Sequence, residues 1–201
     1  MNLRSLALFG GLAVLASCDP PKSKNPLTDP NTALVDSRLA GVWTGRVGTE
    51  GTEATLSIFP RERAVFDVVL VGHDEKQGAV VLTFEGFPSA IDGKKYWNLR
   101  AKSFEGEYAE RPKLSDTYIF VRYEIAKDGS LALWEMDDSA AGVAVKAGTL
   151  LGFSSKDSPL MLTDSSEKLA AFVATLAGQK GFGFFATFQR AKLQYPKGGS
   201  K

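Results

Sequence analysis

What most constrains this chain is a succession of short segments in which apolar and polar residues alternate strictly, each closed by a turn-forming stretch. Ala54, Leu56 and Ile58 alternate with Thr55 and Ser57. Ala64, Phe66, Val68 and Leu70 form the next set, with Asp67 opposite, and Val80, Leu82 and Phe84 repeat it against Thr83 and Glu85. A period of two sends successive side chains to opposite faces of an extended backbone, so each segment reads as a strand with one face buried. Val42–Val47 is a short strand ahead of them, and Tyr96–Arg100 follows the turn Ile91-Asp92-Gly93-Lys94. Thr117–Ile125 then meets Ser130–Met136 across Lys127-Asp128-Gly129. Asp-Gly between two apolar runs signals a hairpin, because these residues tolerate the positive φ a tight turn needs. Strands of this length at this spacing make an antiparallel meander, closed as a barrel or folded as a sandwich.

The C-terminal third changes character. Asp138–Gly148 reads as a short helix or a loop, and Met161–Thr163 as a brief strand. Asp164-Ser165-Ser166-Glu167 has the pattern of a capping box, with Asp164 as the cap and Glu167 reaching back. Leu169, Phe172, Val173 and Leu176 share one face of the helix that follows, which Gly178 would end. The last strand spans Phe182–Ala191, with Phe182, Phe184, Ala186 and Phe188 expected on one side.

The N-terminus carries a different message. Residues 1–17, MNLRSLALFGGLAVLAS, place one charge, Arg4, before an 11-residue apolar run, Leu6–Ala16. A spanning helix needs about 20 apolar residues, so this run is too short to cross a membrane and fits a secretory signal peptide. The only cysteine, Cys18, follows directly. Leu15-Ala16-Ser17-Cys18 resembles the bacterial lipobox. That resemblance implies cleavage before Cys18 and acylation of its sulfur and its new amine; an ordinary exported thiol and a buried segment are the alternatives. A single acyl chain holds a protein to a bilayer only marginally, whereas more than one anchors it firmly. Asp19 resembles the inner-membrane retention signal of enteric lipoproteins. The expected location is therefore the bacterial envelope, lipid-anchored and periplasm-facing, with the inner membrane favoured.

Asp19–Asp36 is polar and holds four of the nine prolines, so residues 18–36 read as an extended tether, with a packed N-terminal arm as the alternative. The divisions expected are thus 1–17 signal, 18–36 lipidated Cys and tether, 37–195 folded domain and 196–201 flexible tail. Removing residues 1–17 from the 201 leaves 184, with 23 basic and 23 acidic side chains. A net charge of zero gives no long-range attraction to nucleic acid, and a chain of this length suits one domain. With one cysteine there is no intramolecular disulfide.

Gly41-Val42-Trp43, a helix ahead of the last strand, and Arg190 near that strand's end together resemble the calycin superfamily of lipocalin-type barrels. The resemblance implies a mainly β domain, an antiparallel up-and-down barrel with a C-terminal helix packed before the final strand. It also implies structural roles for Trp43 and Arg190, the cation lying across the indole. The segment Phe104–Ser115 departs from it as an insertion. DGKKYWNLR, YIFVRYEIAKDGSLALWEMDD, KAGTLLG and LTDSSEKLAAFV are also similar to a group of bacterial proteins with a lipocalin-like body, which brings no reaction or ligand with it.

Nothing marks a catalytic residue. His73 is the single histidine and lies in Gly72–Gly78, which reads as a polar hairpin loop, beside Asp74 and with no nucleophile in a recognisable motif. A His–Cys zinc site is excluded by count, and no cofactor is implied. Glu105, Glu107 and Glu110, and Asp137 with Asp138, lack calcium-loop spacing and read as solvated carboxylates. Polar residues inside strands are more suggestive. Tyr96, Asn98 and Arg100 share one face, and Tyr118 and Arg122 another, together with Phe120 and Glu124. Either they line the interior and fix the polar end of a small hydrophobic ligand, or they form the outer, solvated wall. Alternation alone leaves both open. The expected function is a non-enzymatic, lipid-anchored envelope protein that binds a small apolar or amphipathic ligand; the alternative is a structural or interaction module of an envelope complex whose protein partner the sequence does not name.

Overall fold

The structure, a computed structural model, describes residues 20–48, 51–62, 64–74, 78–105, 116–155, 158–175 and 179–192. Eight strands form the barrel: β2 (Gly41–Val47), β3 (Thr52–Pro60), β4 (Phe66–Asp74), β5 (Gly78–Ile91), β6 (Lys94–Glu105), β7 (Tyr118–Ile125), β8 (Leu131–Met136) and β11 (Phe182–Arg190). Each of β2 to β8 pairs antiparallel with the next, and β11 closes the ring between β8 and β2. The mainly β, up-and-down barrel is therefore the architecture the lipocalin resemblance implies.

Both Asp-Gly turns do what their sequence dictates. Asp92 and Gly93 adopt φ of 50° and 72° between β5 and β6, and Gly129 adopts 83° between β7 and β8. The Asp128 carboxylate accepts from the Ser130 backbone N–H at 2.9 Å and from its hydroxyl at 2.7 Å, fixing the second turn locally.

The alternating sets face inward as a single cluster. Leu56, Ile58, Phe66, Val68 and Leu70 meet Trp43, Trp97, Leu99, Val121, Tyr123, Leu131 and Phe188 in the interior. Trp43, Trp97, Ile58, Leu131 and Phe188 are among the largest fully buried side chains, so aromatic and branched residues fill this part of the lumen.

A second core lies outside the barrel. Strand β1 (Lys22–Ser23) pairs with β7 at Tyr118 and runs parallel to β10 (Ser158–Leu162), which pairs with β9 (Gly152–Ser155). Helices α1 (Asp138–Lys146) and α2 (Ser166–Ala174) join this layer. Leu27, Leu150, Leu160, Leu162, Leu169 and Val173 cover the outward Tyr96 and Phe120 of β6 and β7. Here α2 is the helix expected before the last strand.

Three readings change and one open reading is decided. From residue 22 the supposed tether is not free: Lys22–Ser23 is a strand, Leu27 is 1% exposed, and Asp36 is buried. Extended, proline-rich backbone is equally suited to pairing at an edge and to spanning solvent, and the few apolar side chains here decide for packing. Asp138–Lys146 is a helix, capped by the Asp137 carboxylate at 2.7 Å from the Ser139 N–H. The cap of α2 is Ser165, not Asp164; Asp164 is 3% exposed and accepts instead from the Leu151 N–H, with Lys168 at 3.4 Å. In β11 a bulge between Phe184 and Ala186 breaks the expected single face. Phe182 joins the outer core, Phe184 is exposed, and Ala186 and Phe188 point inward. Cys18, the signal segment, Glu107, Glu110, Leu176, Gly178 and residues 196–201 lie outside the described residues.

Candidate functional site

Trp43 and Arg190 meet at one end of the barrel. The turn Ser37–Leu39 crosses that end, and the Trp43 indole N–H donates to the Leu39 carbonyl at 2.9 Å. The Arg190 guanidinium lies 4.3 Å from the indole centroid and donates to the carbonyls of Ala40, at 2.8 Å, and Arg38. Gly41 makes room for it. Its φ is +137°, and a Cβ there would sit 2.5 Å from Arg190 Nη1.

Beside this plug lies a charged cluster. The buried Asp36 carboxylate accepts two bonds from Arg38, each 2.8 Å, and one from Lys95 at 2.7 Å. The Tyr123 hydroxyl donates to the same carboxylate at 3.4 Å. The Arg38 hydrogen bonds, with Lys95 adding to them, hold Asp36 well below the usual carboxylate range despite its burial. Burial and the adjacent negative charge push the Tyr123 hydroxyl well above its ordinary value.

The end of the β5–β6 turn and the end of β7 then frame a cleft of about 570 Å³. Arg38, Lys94, Lys95 and Arg122 line it, with Glu124 as the single lining carboxylate. Tyr123 and Ile125 supply its apolar wall. The Arg122 guanidinium rests 4.4 Å from the Trp134 centroid, and Lys94 Nζ donates to Gln179. An excess of cations around a concave surface suits the anionic end of a small molecule.

Tyr96, Asn98, Arg100, Tyr118 and Arg122, which the sequence left open between lumen and outer wall, all lie on the outer wall. Their inward neighbours are Trp97, Leu99, Val121 and Tyr123. Tyr96 is fully buried against Phe182, at 5.4 Å between centroids, and its hydroxyl has no partner among the described residues. Asn98 is fully buried too. It accepts from the Leu27 N–H at 2.6 Å and donates to Phe87 O and Ser89 Oγ, so it fastens the N-terminal arm. Arg100 pairs with Glu85 at 2.5 Å and lies 3.7 Å from Asp116. Tyr118 packs edge-on against Phe87. Only Arg122 reaches the cleft. Both faces of β6 and β7 are covered, one by the lumen and one by the outer layer, so both carry large apolar groups and alternation cannot name the inner one.

Arg38, Lys94 and Lys95 were not visible from sequence as a group, because 56 positions separate Arg38 from Lys94. The Asp-Gly turn just before Lys94 was the one signal available. Among the described residues no cluster of three His, Cys, Asp or Glu side chains could hold a metal. His73 and Asp74 belong to β4 and not to the hairpin loop read from sequence: the His73 backbone pairs with Glu53 on one side and Ala79 on the other, and its side chain lies outside the described residues. Set against models of protein families, curated proteins and solved structures, the chain gives no match.

Proposed function

We propose that this chain is a lipid-anchored, periplasm-facing protein of the bacterial envelope, favouring the inner membrane, whose barrel domain binds a small amphipathic anion. The observation that carries the binding reading is the cleft at the barrel end, where Lys94 and Arg122 stand beside Tyr123, Glu124 and Ile125 while Arg38 and Lys95, which also line it, are bonded to Asp36. Arg122 and Lys94 would meet the anionic end, and the aromatic wall the apolar remainder.

Protein purified from its own cells should carry a bound mass in native mass spectrometry. A fluorescent fatty-acid analogue should displace it, and the double variant Lys94→Glu, Arg122→Glu should lose both by an order of magnitude or more in affinity, about 1.4 kcal/mol per tenfold. A wild type that is empty and does not take up the probe would rule out ligand binding at this cleft. The lipobox-like segment supports the anchor. Cys18→Ala should move the protein from the membrane to the soluble fraction, and Asp19→Ser should shift its membrane.

The second reading, an interaction module of an envelope complex, draws on one observation. Phe184 is 65% exposed on the outer wall and stacks edge-on against Trp134 at 6.1 Å. A photocrosslinker at position 184 that captures one defined envelope protein would favour this reading.

A further inference from the structure

Among the described residues, the outer layer leaves Leu151 and Phe153 exposed on one face, and the N-terminal segment of the chain runs beside it. In the β9–β10–β1 extension, Ser23, Leu162 and Gly152 align across the three strands. They face the outer core, where Ser23 and Leu162 are fully buried. Lys22, Met161 and Phe153 align in the same way one residue along, so they share the opposite face. Phe153 is 60% exposed, and Leu151, two residues before it, is 57% exposed. Lys24, two residues after Lys22, is also exposed. β9 is moreover the free edge of the sheet. An edge strand showing Leu and Phe to water is a liability that folds normally cover.

The described chain begins at Pro20, and the next residue, Pro21, is already buried. Two steps of backbone reach at most about 7 Å, so Cys18 lies within that distance of Pro20. Phe153 is two strand spacings from Lys22, roughly 10 Å. A lipid attached to Cys18 therefore starts within about 14 Å of Lys22, on the strand two places from Phe153. Two lysines flanking two large apolar side chains match an anionic headgroup layer over acyl chains, where aromatic and basic residues settle together.

We infer that the outward face of β9–β10–β1 is a membrane-docking surface, with Leu151 and Phe153 entering the headgroup region and Lys22 and Lys24 on anionic lipid. It rests on the lipid-anchor reading. The domain then lies against the bilayer in one fixed orientation instead of swinging on a tether.

The native thiol, if acylated, cannot be labelled, which permits a direct test. Full-length chain carrying Phe153→Cys is processed in cells, spin-labelled and reconstituted in phosphatidylethanolamine–phosphatidylglycerol vesicles. A second variant, Phe59→Cys, reports from β3, four strands from β7 in either direction round the barrel, where Phe59 is 51% exposed. The label at 153 should favour oxygen over a water-soluble nickel chelate several-fold more than the label at 59. Equal ratios at the two sites, or protection of 153 from both reagents as in a protein contact, would overturn the docking surface and leave the anchor standing. Two labels per chain would mean that Cys18 is unacylated, and the anchor and the docking surface would fall together.

Discussion

At the scale of single residues, the barrel end depends on one position having no side chain. Gly41 holds a φ that L-residues rarely adopt, and its missing Cβ is the space the Arg190 guanidinium occupies. Gly41→Ala should lower unfolding stability by about 1–3 kcal/mol through strain and displacement of Arg190, read as a fall in the urea midpoint with the slope unchanged. Asp36 makes a second prediction. Its carboxyl is depressed in the folded state by Arg38 and Lys95. The stability it contributes is present above the unfolded pKa of about 3.9 and is lost as pH falls through the lower folded value. Asp36→Asn should cost about 2 kcal/mol near neutral pH, since charge-assisted bonds are removed from a buried site. That difference should shrink as pH is taken below about 4; a gap that stays constant across this range would show that the charge of Asp36 is not what stabilises the cluster.

At the scale of elements, the N-terminal arm behaves as part of the domain. Asn98 grips the Leu27 backbone, Asn25 donates to the Asp164 carbonyl at 2.8 Å, and the Leu34 N–H donates to Pro88 O at 2.8 Å. Asn98→Leu should raise amide hydrogen exchange through residues 20–34 while β2–β4 stay protected, and a uniform rise would show that the arm and barrel open together. The strands with one buried face were legible: β3 folds as read, and β4 keeps the Phe66, Val68, Leu70 alternation but starts after Ala64 and runs on through His73 to Asp74. β5 was not read to its end. It continues through Pro88 to Ile91, and a bulge at Thr83–Phe84 shifts its register part-way along. β6 and β7 were legible as strands but not in their facing, for the reason that both their faces are buried. The cleft was legible only as Arg122, because its other cations come from a distant turn and from the plug. The arm hid behind its prolines, whose fixed φ says extended and nothing about contact.

For the whole molecule, two cores share one wall. Trp97 and Val121 face the lumen while their neighbours Tyr96 and Phe120 face the outer layer, so neither core can lose packing without moving the strands that build the other. Thermal unfolding should be a single transition, with far-UV and near-UV circular dichroism superimposing; separated midpoints would mean that the outer layer melts first.

The ring closes late. β2 waits for β11, with Val47 pairing Ala186 and Trp43 pairing Arg190, so the first barrel strand meets the last almost at the end of the chain. Contacts of such long sequence separation carry a loop-closure entropy that slows folding. A chain exported from its N-terminus would emerge with β2 holding an open edge until β11 followed. If the chain is exported as proposed, the interval before β11 arrives is when it would be most exposed to misassembly, and when a chaperone would matter most to it.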